Sequence, residues 1–247
     1  MMKKLLPILF LFFSCESLGE QTEYLDYESY IQEAWSAFVL SDYETSINLF
    51  NLAINQTNSS DLSSAYSGLG WAYMYKSNNL PGTSNQEQRD IFRDNSFVYF
   101  NNAFDLDPNA SDILAGLTFL HNYHAEQQIY LYFNDNNFNT NNNDIPDSLQ
   151  KSLDVSNSLI ASDNSYNFIY DDCIDIDNIR FLRSKIFLNL MSFNNDSSHN
   201  YLESLINEIN AINKFSCTDF TEFDSVINLG QAIECIGHIS EFFNSCD

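Results

Sequence analysis

The feature that most constrains this chain is a helical repeat of apolar side chains on both sides of a short polar turn. Within residues 26–56 the apolar positions recur three or four residues apart, stop at Ser41 and Asp42, and then resume with the same spacing. That spacing places one apolar stripe on each of two α-helices. The positions are Tyr30, Ala34, Ala37 and Phe38, then Ile47, Phe50, Ala53 and Ile54. We therefore predict an antiparallel helical hairpin, in which small residues let the helices approach closely.

The next two helical stretches carry a more specific pattern. They are AYSGLGWAY at residues 65–73 and FVYFNNAFDLDPN at residues 97–109. Together with the turn Ser41–Tyr43, they resemble the tetratricopeptide repeat (TPR), a helix–turn–helix unit of about 34 residues. In that pattern Gly70 leaves room for the neighbouring helix. Pro108 lies at the joint between two repeats, where it ends one helix and helps to start the next.

The resemblance implies an all-α fold, a right-handed α-solenoid of TPR-like helical hairpins with a C-terminal capping helix. We expect clear repeats in residues 26–109 and degenerate repeats in residues 110–214. Residues 215–247 would then hold the capping helix and a tail that carries disulfides.

Three segments interrupt the helical pattern. Residues 77–90 are polar with a Pro-Gly pair, and residues 134–144 are rich in Asn, so both predict loops. Residues 166–172, with the sequence YNFIYDD, alternate apolar and polar side chains, which favours a short extended segment.

In the family that the chain resembles, the first helix of each repeat lines a concave groove. The corresponding positions are Trp35, Phe38 and Val39, then Trp71, Met74 and Tyr75, then Phe119 and Tyr123. Large aromatic side chains contribute much of the binding energy at interfaces, so the resemblance implies that these residues bind a protein or peptide. The alternative is that neighbouring helices or loops cover them, which would make them core residues.

The first residues are typical of an export signal. Within residues 1–14, two lysines precede an apolar run from Leu5 to Phe13 that is too short to span a bilayer. The sequence LFFSC that follows resembles the lipobox of bacterial lipoproteins, which implies lipidation of Cys15 and a lipid-anchored tether over residues 15–25. The alternative is an ordinary secretory signal with an incidental cysteine. We expect an exported protein of the bacterial cell envelope, held on the outer membrane and facing the periplasm.

Four further cysteines lie in the last third of the chain: Cys173, Cys217, Cys235 and Cys246. An even number of cysteines in an exported chain favours disulfides, and four cysteines allow three pairings. We favour Cys173 with Cys217 and Cys235 with Cys246, because the second pair would join the last helix to the tail. Zinc is disfavoured because the chain has no Cys-x-x-Cys pair.

The charge of the chain excludes one class of partner. It has 34 acidic and 10 basic side chains and a formal net charge of -24. So few cations cannot form a patch that neutralises phosphates, and we therefore expect no nucleic-acid partner.

No residue pattern indicates catalysis or a cofactor. His121 and His124 share a helix with Glu126, but His121 falls at a packing position, so we predict no metal site. The alternating oxygen ligands of residues 135–143 lack the central Gly and closing Glu of an EF-hand, so we interpret them as a polar loop. The acidic cluster of residues 171–177 has no sign of a substrate cleft around it.

The sequence therefore favours a scaffold protein that is not an enzyme, is attached to the envelope and binds a protein or peptide through the groove. One alternative is a small-molecule or glycan-binding lipoprotein that acts with a membrane transporter and stacks its aromatic residues on sugar rings. Another is a hydrolase whose carboxylates, such as Asp171, come together only in the folded protein.

Overall fold

The computed structural model describes residues 25–56, 62–134, 144–193, 201–214 and 225–243. Within these ranges it contains nine α-helices and, before the fourth, a short 3-10 turn, Thr83–Asn85. The helices are α1 (Tyr27–Val39), α2 (Tyr43–Ile54), α3 (Ser63–Asn78), α4 (Gln86–Leu106), α5 (Ser111–Asn134), α6 (Asp144–Ser162), α7 (Ile176–Phe193), α8 (Tyr201–Asn210) and α9 (Leu229–Phe243). The prediction of an all-α protein is confirmed. None of the described helices is both long and apolar enough to cross a bilayer.

The predicted signal peptide, residues 1–14, and the lipidation site, Cys15, lie outside the described residues. So does nearly all of the tether, residues 15–25, of which only the last residue is described. The Asn-rich segment over residues 135–143 also lies outside them.

The packing order of the helices is that of a solenoid. Each helix packs against the next one along the chain, and α1, α3, α5, α7 and α9 also contact one another in that order. Among the described helices, no comparable contact links the even-numbered ones. The odd-numbered helices therefore form one layer and the even-numbered helices a second, as in stacked helical hairpins. The handedness of the stack stays a prediction.

The same joint recurs between successive hairpins. Phe50 of α2 is fully buried against Gly68 of α3, where a Cβ atom would lie 2.2 Å from the ring. Phe100 of α4 is likewise fully buried against Gly116 of α5, where a Cβ atom would lie 2.1 Å away. A Cβ atom on Gly70 would also come within 2.7 Å of Phe100. The predicted role of Gly70, which is to make room for the neighbouring helix, is confirmed.

The turn between α1 and α2 explains a departure from the family pattern. Ser41, which stands where that pattern has glycine, has a φ of 61° in the left-handed region that favours glycine. Asp42 follows and caps α2, since its carboxylate accepts a hydrogen bond of 3.1 Å from the backbone N–H of Thr45.

The prediction of a loop over residues 77–90 is mostly wrong. Helix α3 continues to Asn78 and α4 begins at Gln86, so the insertion mainly lengthens α4. Arg89 holds the short connection in place by donating hydrogen bonds to the backbone oxygens of Leu80 (3.0 Å) and Gly82 (2.7 Å). Pro108 lies in the turn between α4 and α5, as the sequence indicates.

Between α6 and α7 the chain forms a hairpin-like segment, residues 163–175, which we call the strap. Asn167 and Asp175 form an isolated antiparallel bridge, and the N–H of Phe168 donates a hydrogen bond of 2.8 Å to the oxygen of Ile174. The predicted extended segment is thus short, because residues 169 and 170 already form a turn. Phe168 is fully buried, so the strap belongs to the core.

Candidate binding groove

A groove of about 940 Å³ lies among the odd-numbered helices α3, α5 and α7. Residues of the turn between α1 and α2, of the first part of α4 and of the strap complete its wall. Helix α3 contributes residues from its last turns, such as Tyr75, and α5 contributes residues from its middle, such as Tyr123. Helix α7 contributes residues from its first and middle turns, such as Lys185. The layered packing thus leaves a bounded concave surface on the side of the molecule that the sequence predicts as the binding face.

The aromatic residues of the first repeats do not form an open groove surface. Trp35, Phe38 and Trp71 are core residues, with exposed fractions of 6%, 3% and 0%. The strap covers them: the ring of Tyr170 stacks on Trp35 at a centroid distance of 3.8 Å, and Phe168 stacks on Trp71 at 4.3 Å. For these three positions the groove hypothesis is corrected to the alternative that a connecting segment covers them. The strap lies far along the chain, which is why helix spacing did not identify it as the cover.

Two further predicted groove residues offer little or no surface to the groove. Met74 reaches the wall but is only 7% exposed, so it offers a ligand little surface. Val39 is 58% exposed and is absent from the groove wall.

The remaining predicted residues, Tyr75, Phe119 and Tyr123, do line the groove and are partly exposed. The hydroxyl of Tyr75 donates a hydrogen bond to the carboxylate of Asp171 in the strap. The hydroxyl of Tyr123 accepts one from Arg93, whose guanidinium lies 3.5 Å from the centroid of the Tyr123 ring. Both tyrosines are therefore held in place by contacts within the protein.

The cationic residues of the groove already have polar partners within the protein, although only Lys185 is paired with a groove carboxylate. Lys185 of α7 forms an ion pair of 2.6 Å with Glu126 of α5. Arg93 is occupied by Tyr123, and burial is the main cause that lowers the pKa of its guanidinium. Arg89 is occupied by the backbone oxygens that hold the connection before α4.

Sequence reasoning missed the polar residues of the groove on α5. Asn122 and Glu126 lie three and seven residues after Phe119, so together with Tyr123 they occupy one face of the helix. The helical spacing that starts at Phe119 and Tyr123 leads to both residues, so the sequence could have indicated them as groove residues. Asn122 is 4% exposed, and its Oδ1 has no hydrogen-bond partner. Among the described residues that line the groove, it has the one buried side-chain oxygen without a partner.

A second, smaller cavity of about 280 Å³ lies between α4, α5 and α6. Arg93 and Tyr123 contribute to both cavities and separate them. His121 and His124 line the smaller cavity, and burial, followed by the charges of Lys151 and His124, lowers the pKa of His121 to about 4. In the described part of the chain no three side chains of the metal-ligating types come together, so the structure does not give the two histidines a third ligand.

The acidic cluster of the strap and α7 mainly holds the backbone. Asp171 accepts a hydrogen bond of 2.8 Å from the N–H of Cys173, and Asp175 caps α7 by accepting bonds of 2.9 and 3.0 Å from the next turn. Asp177 accepts bonds from the N–H groups of Asn213 (3.1 Å) and Lys214 (2.7 Å). These contacts join the strap and α7 to the segment after α8. They give Asp171, Asp175 and Asp177 a structural role as acceptors of backbone hydrogen bonds.

Two of the four cysteines of the last third, Cys173 and Cys235, lie among the described residues. Cys173, in the strap and on the groove wall, and Cys235, buried in α9, are each disulfide-bonded. Cys217 and Cys246 lie outside the described residues, so the favoured pairing stays a prediction.

Comparison with known proteins adds one similar structure. No protein-family model matches the chain, and no curated protein matches its sequence. Among solved structures, a thermophilic TPR protein of Thermus thermophilus is similar over 86% of this chain and 98% of that chain, with 8% identity and a TM-score of 0.35. A TM-score of this size does not establish a common fold, so the assignment to a helical solenoid rests on the packing order of the helices.

Proposed function

We propose that this protein is a non-catalytic, TPR-like binding protein that holds a segment of another protein in the groove among α3, α5 and α7. The observation that carries the proposal is the groove itself, which is bounded, concave and lined by repeated positions of the inner helices, including Tyr75, Phe119 and Tyr123. Partly exposed aromatic rings that are already held in place lose little entropy on binding, which suits them as anchors.

We also propose that the protein is attached to the bacterial outer membrane through lipidated Cys15 and faces the periplasm. The residues that support the lipid anchor are the two lysines, the apolar run and the lipobox-like sequence of the first fifteen positions. Replacement of Cys15 by Ser is expected to abolish the incorporation of radiolabelled palmitate into the protein, because the thiol that would carry the lipid is gone. Incorporation that is unchanged by this substitution would contradict the lipid anchor.

A second candidate function is the binding of a small solute or glycan for a membrane transporter. Two observations favour it: the volume of the groove lies within the range of small-molecule sites, about 300–1,000 Å³, and its wall combines aromatic rings with the side-chain amides of Asn78, Asn79, Asn122 and Asn178.

Site-specific photo-crosslinking tests the first proposal. In one variant benzoylphenylalanine replaces Glu126, which lines the groove. In the matched control it replaces Leu106, an exposed residue of α4 that is not part of the groove wall. Irradiation of native membranes is expected to give a defined protein adduct from position 126 and none from position 106. If neither position gives an adduct and an oligosaccharide raises the melting temperature, solute binding replaces peptide binding.

A further inference from the structure

We infer that the smaller cavity between α4, α5 and α6 binds a small organic monocarboxylate, with Lys151 as the partner of its carboxylate group. The cavity is separate from the groove, so this inference does not rest on the proposed function. Three features of the cavity carry it: a lysine left unpaired in the described part of the chain, a half-buried histidine close to this lysine, and apolar side chains that line the same space.

Lys151 differs from the other cations of the protein. Every other Lys or Arg side chain that the structure describes forms an ion pair or donates hydrogen bonds: Lys76, Arg89, Arg93, Arg180, Arg183, Lys185 and Lys214. Within the described residues, Lys151 forms neither kind of contact, although the chain has 34 acidic side chains. Lys151 lines the cavity and is exposed, so an anion from outside can reach it without breaking an existing ion pair.

His121 adds a second group that favours a negative charge in the cavity. Its ring is half-buried, packs edge-to-face on Phe97 at a centroid distance of 5.1 Å, and makes no hydrogen bond within the described part of the chain. Burial, followed by the charges of Lys151 and His124, lowers the pKa of His121 to about 4. The neutral ring can donate one N–H to a carboxylate, and a negative charge beside Lys151 stabilises the protonated ring.

The remaining charges of the cavity favour a ligand with a single negative charge. Asp90 and Asp94 lie on the α4 wall, whereas Lys151 lies on the α6 wall. Arg93 is already engaged, since it lies 3.8 Å from Asp90 and donates a hydrogen bond to Tyr123. A doubly charged phosphate would bring two negative charges to one unpaired cation and would also be repelled by the two aspartates. One carboxylate matches the cavity better.

The size and the apolar residues of the cavity define the rest of the ligand. The volume of about 280 Å³ lies just below the range of about 300–1,000 Å³ that is typical of drug-sized ligands, so the ligand is small. Phe97 and Leu120 line the cavity, and the side chain of Phe97 is 37% exposed. Contact with this ring removes apolar surface from water and favours a ligand with an apolar group. Phenylacetate has both parts, one carboxylate and one apolar ring.

The test titrates the purified protein with phenylacetate and, as the matched uncharged compound, with phenylacetamide. Binding is followed by NMR through the ring C–H signals of the four histidines, and His121→Gln and His124→Gln assign two of these signals. Phenylacetate is expected to shift both signals, and phenylacetamide is expected to bind about 5- to 10-fold more weakly, because it lacks the charge. At saturation with phenylacetate, the pKa of His121 is expected to rise from about 4 towards its ordinary value of 6.5.

Three charge-changing substitutions connect this binding to the cavity. Lys151→Gln is expected to weaken phenylacetate about 3- to 10-fold. Lys185→Gln is the matched control, because it removes the same charge from the wall of the larger groove, and it is expected to leave the affinity unchanged. Asp94→Asn is expected to tighten binding about 2- to 3-fold, since it removes a like charge from the cavity, and a damaged site could not give this gain. Lys151 and Asp94 are exposed, and thermal melts of all three variants control for folding.

Two sets of results overturn the inference. In the first, phenylacetate at about 10 mM, which would largely fill a site of millimolar affinity, leaves the signals of His121 and His124 unshifted, or phenylacetamide binds as tightly. In the second, Lys185→Gln weakens binding as much as Lys151→Gln, because the carboxylate then responds to the groove or to net charge alone. Neither result bears on peptide binding in the groove, which the photo-crosslinking experiment tests separately.

Discussion

Two regions of the inner surface carry the same sequence pattern and differ in the folded protein. Beside α1 and α3 the surface is filled, because the strap lays Phe168 on Trp71 and Tyr170 on Trp35. Beside α3, α5 and α7 it is open and forms the groove. Phe119 occupies in α5 the position that Trp71 occupies in α3, yet Trp71 is fully buried whereas Phe119 is partly exposed. The position in the repeat therefore determines which way a side chain faces, and a distant segment decides whether it meets protein or solvent.

The largest expected effect tests this difference directly. Phe168→Ala is expected to destabilise the protein by about 3–5 kcal/mol, because it leaves a cavity between two buried tryptophans. Phe119→Ala in the open region is expected to cost about 1–2 kcal/mol, since its ring is already partly exposed. Urea denaturation of both variants measures the difference. Equal losses would mean that the two regions do not differ in packing.

The next effect tests the joint between hairpins. Gly116→Ala would place a Cβ atom 2.1 Å from the fully buried ring of Phe100, which has no free space to enter, so we expect a loss of about 1–3 kcal/mol. Gly237→Ala in α9 is the matched control, because nothing lies within 4 Å of its added methyl group. There the better helix propensity of alanine should increase stability by about 0.5–1 kcal/mol. A gain at both positions would show that the joint at Gly116 tolerates a side chain.

These contacts also explain how much of the molecule the sequence could predict. The hairpins around Phe50 and Phe100 were predictable, since apolar spacing and the glycines opposite them are local patterns. The cover on Trp35 and Trp71 was not, because it depends on which distant segment packs there, and residues 166–172 carry only a short alternation. In the groove, Tyr75, Phe119 and Tyr123 followed from the family pattern. The ion pair between Lys185 and Glu126 could not be predicted in this way. It joins two helices, α7 and α5, and the spacing of residues within each helix does not show how the two helices are placed relative to each other.

The third effect uses His121, which lies beside the groove in the smaller cavity. Its pKa is about 4 in the folded protein, against an ordinary value of 6.5 that applies to the unfolded chain. Between these values only the unfolded state binds the proton, so stability is expected to fall as the pH falls from 6.5 towards 4. The partial exposure of the ring reduces the expected loss to about 1–2 kcal/mol. Denaturation of wild type and His121→Gln across this range isolates the contribution, because other groups titrate in both. Parallel curves would mean that the cavity leaves His121 as solvated as in the unfolded chain.

The smallest effect concerns two turns in which one residue has a positive φ. Ser41, at the groove rim, has a φ of 61°, a backbone conformation that is strained for a residue with a side chain. Replacement of Ser41 by Gly removes this strain but gives the unfolded chain more freedom. The net effect is expected to be a stabilisation of about 0.5 kcal/mol. Gly82, with a φ of 73°, provides the reverse change, and Gly82→Ser is expected to cost about 1 kcal/mol. Thermal melts of both variants measure these shifts. If Ser41→Gly lowers the melting temperature instead, the side chain of Ser41 contributes more to this rim than its backbone strain costs.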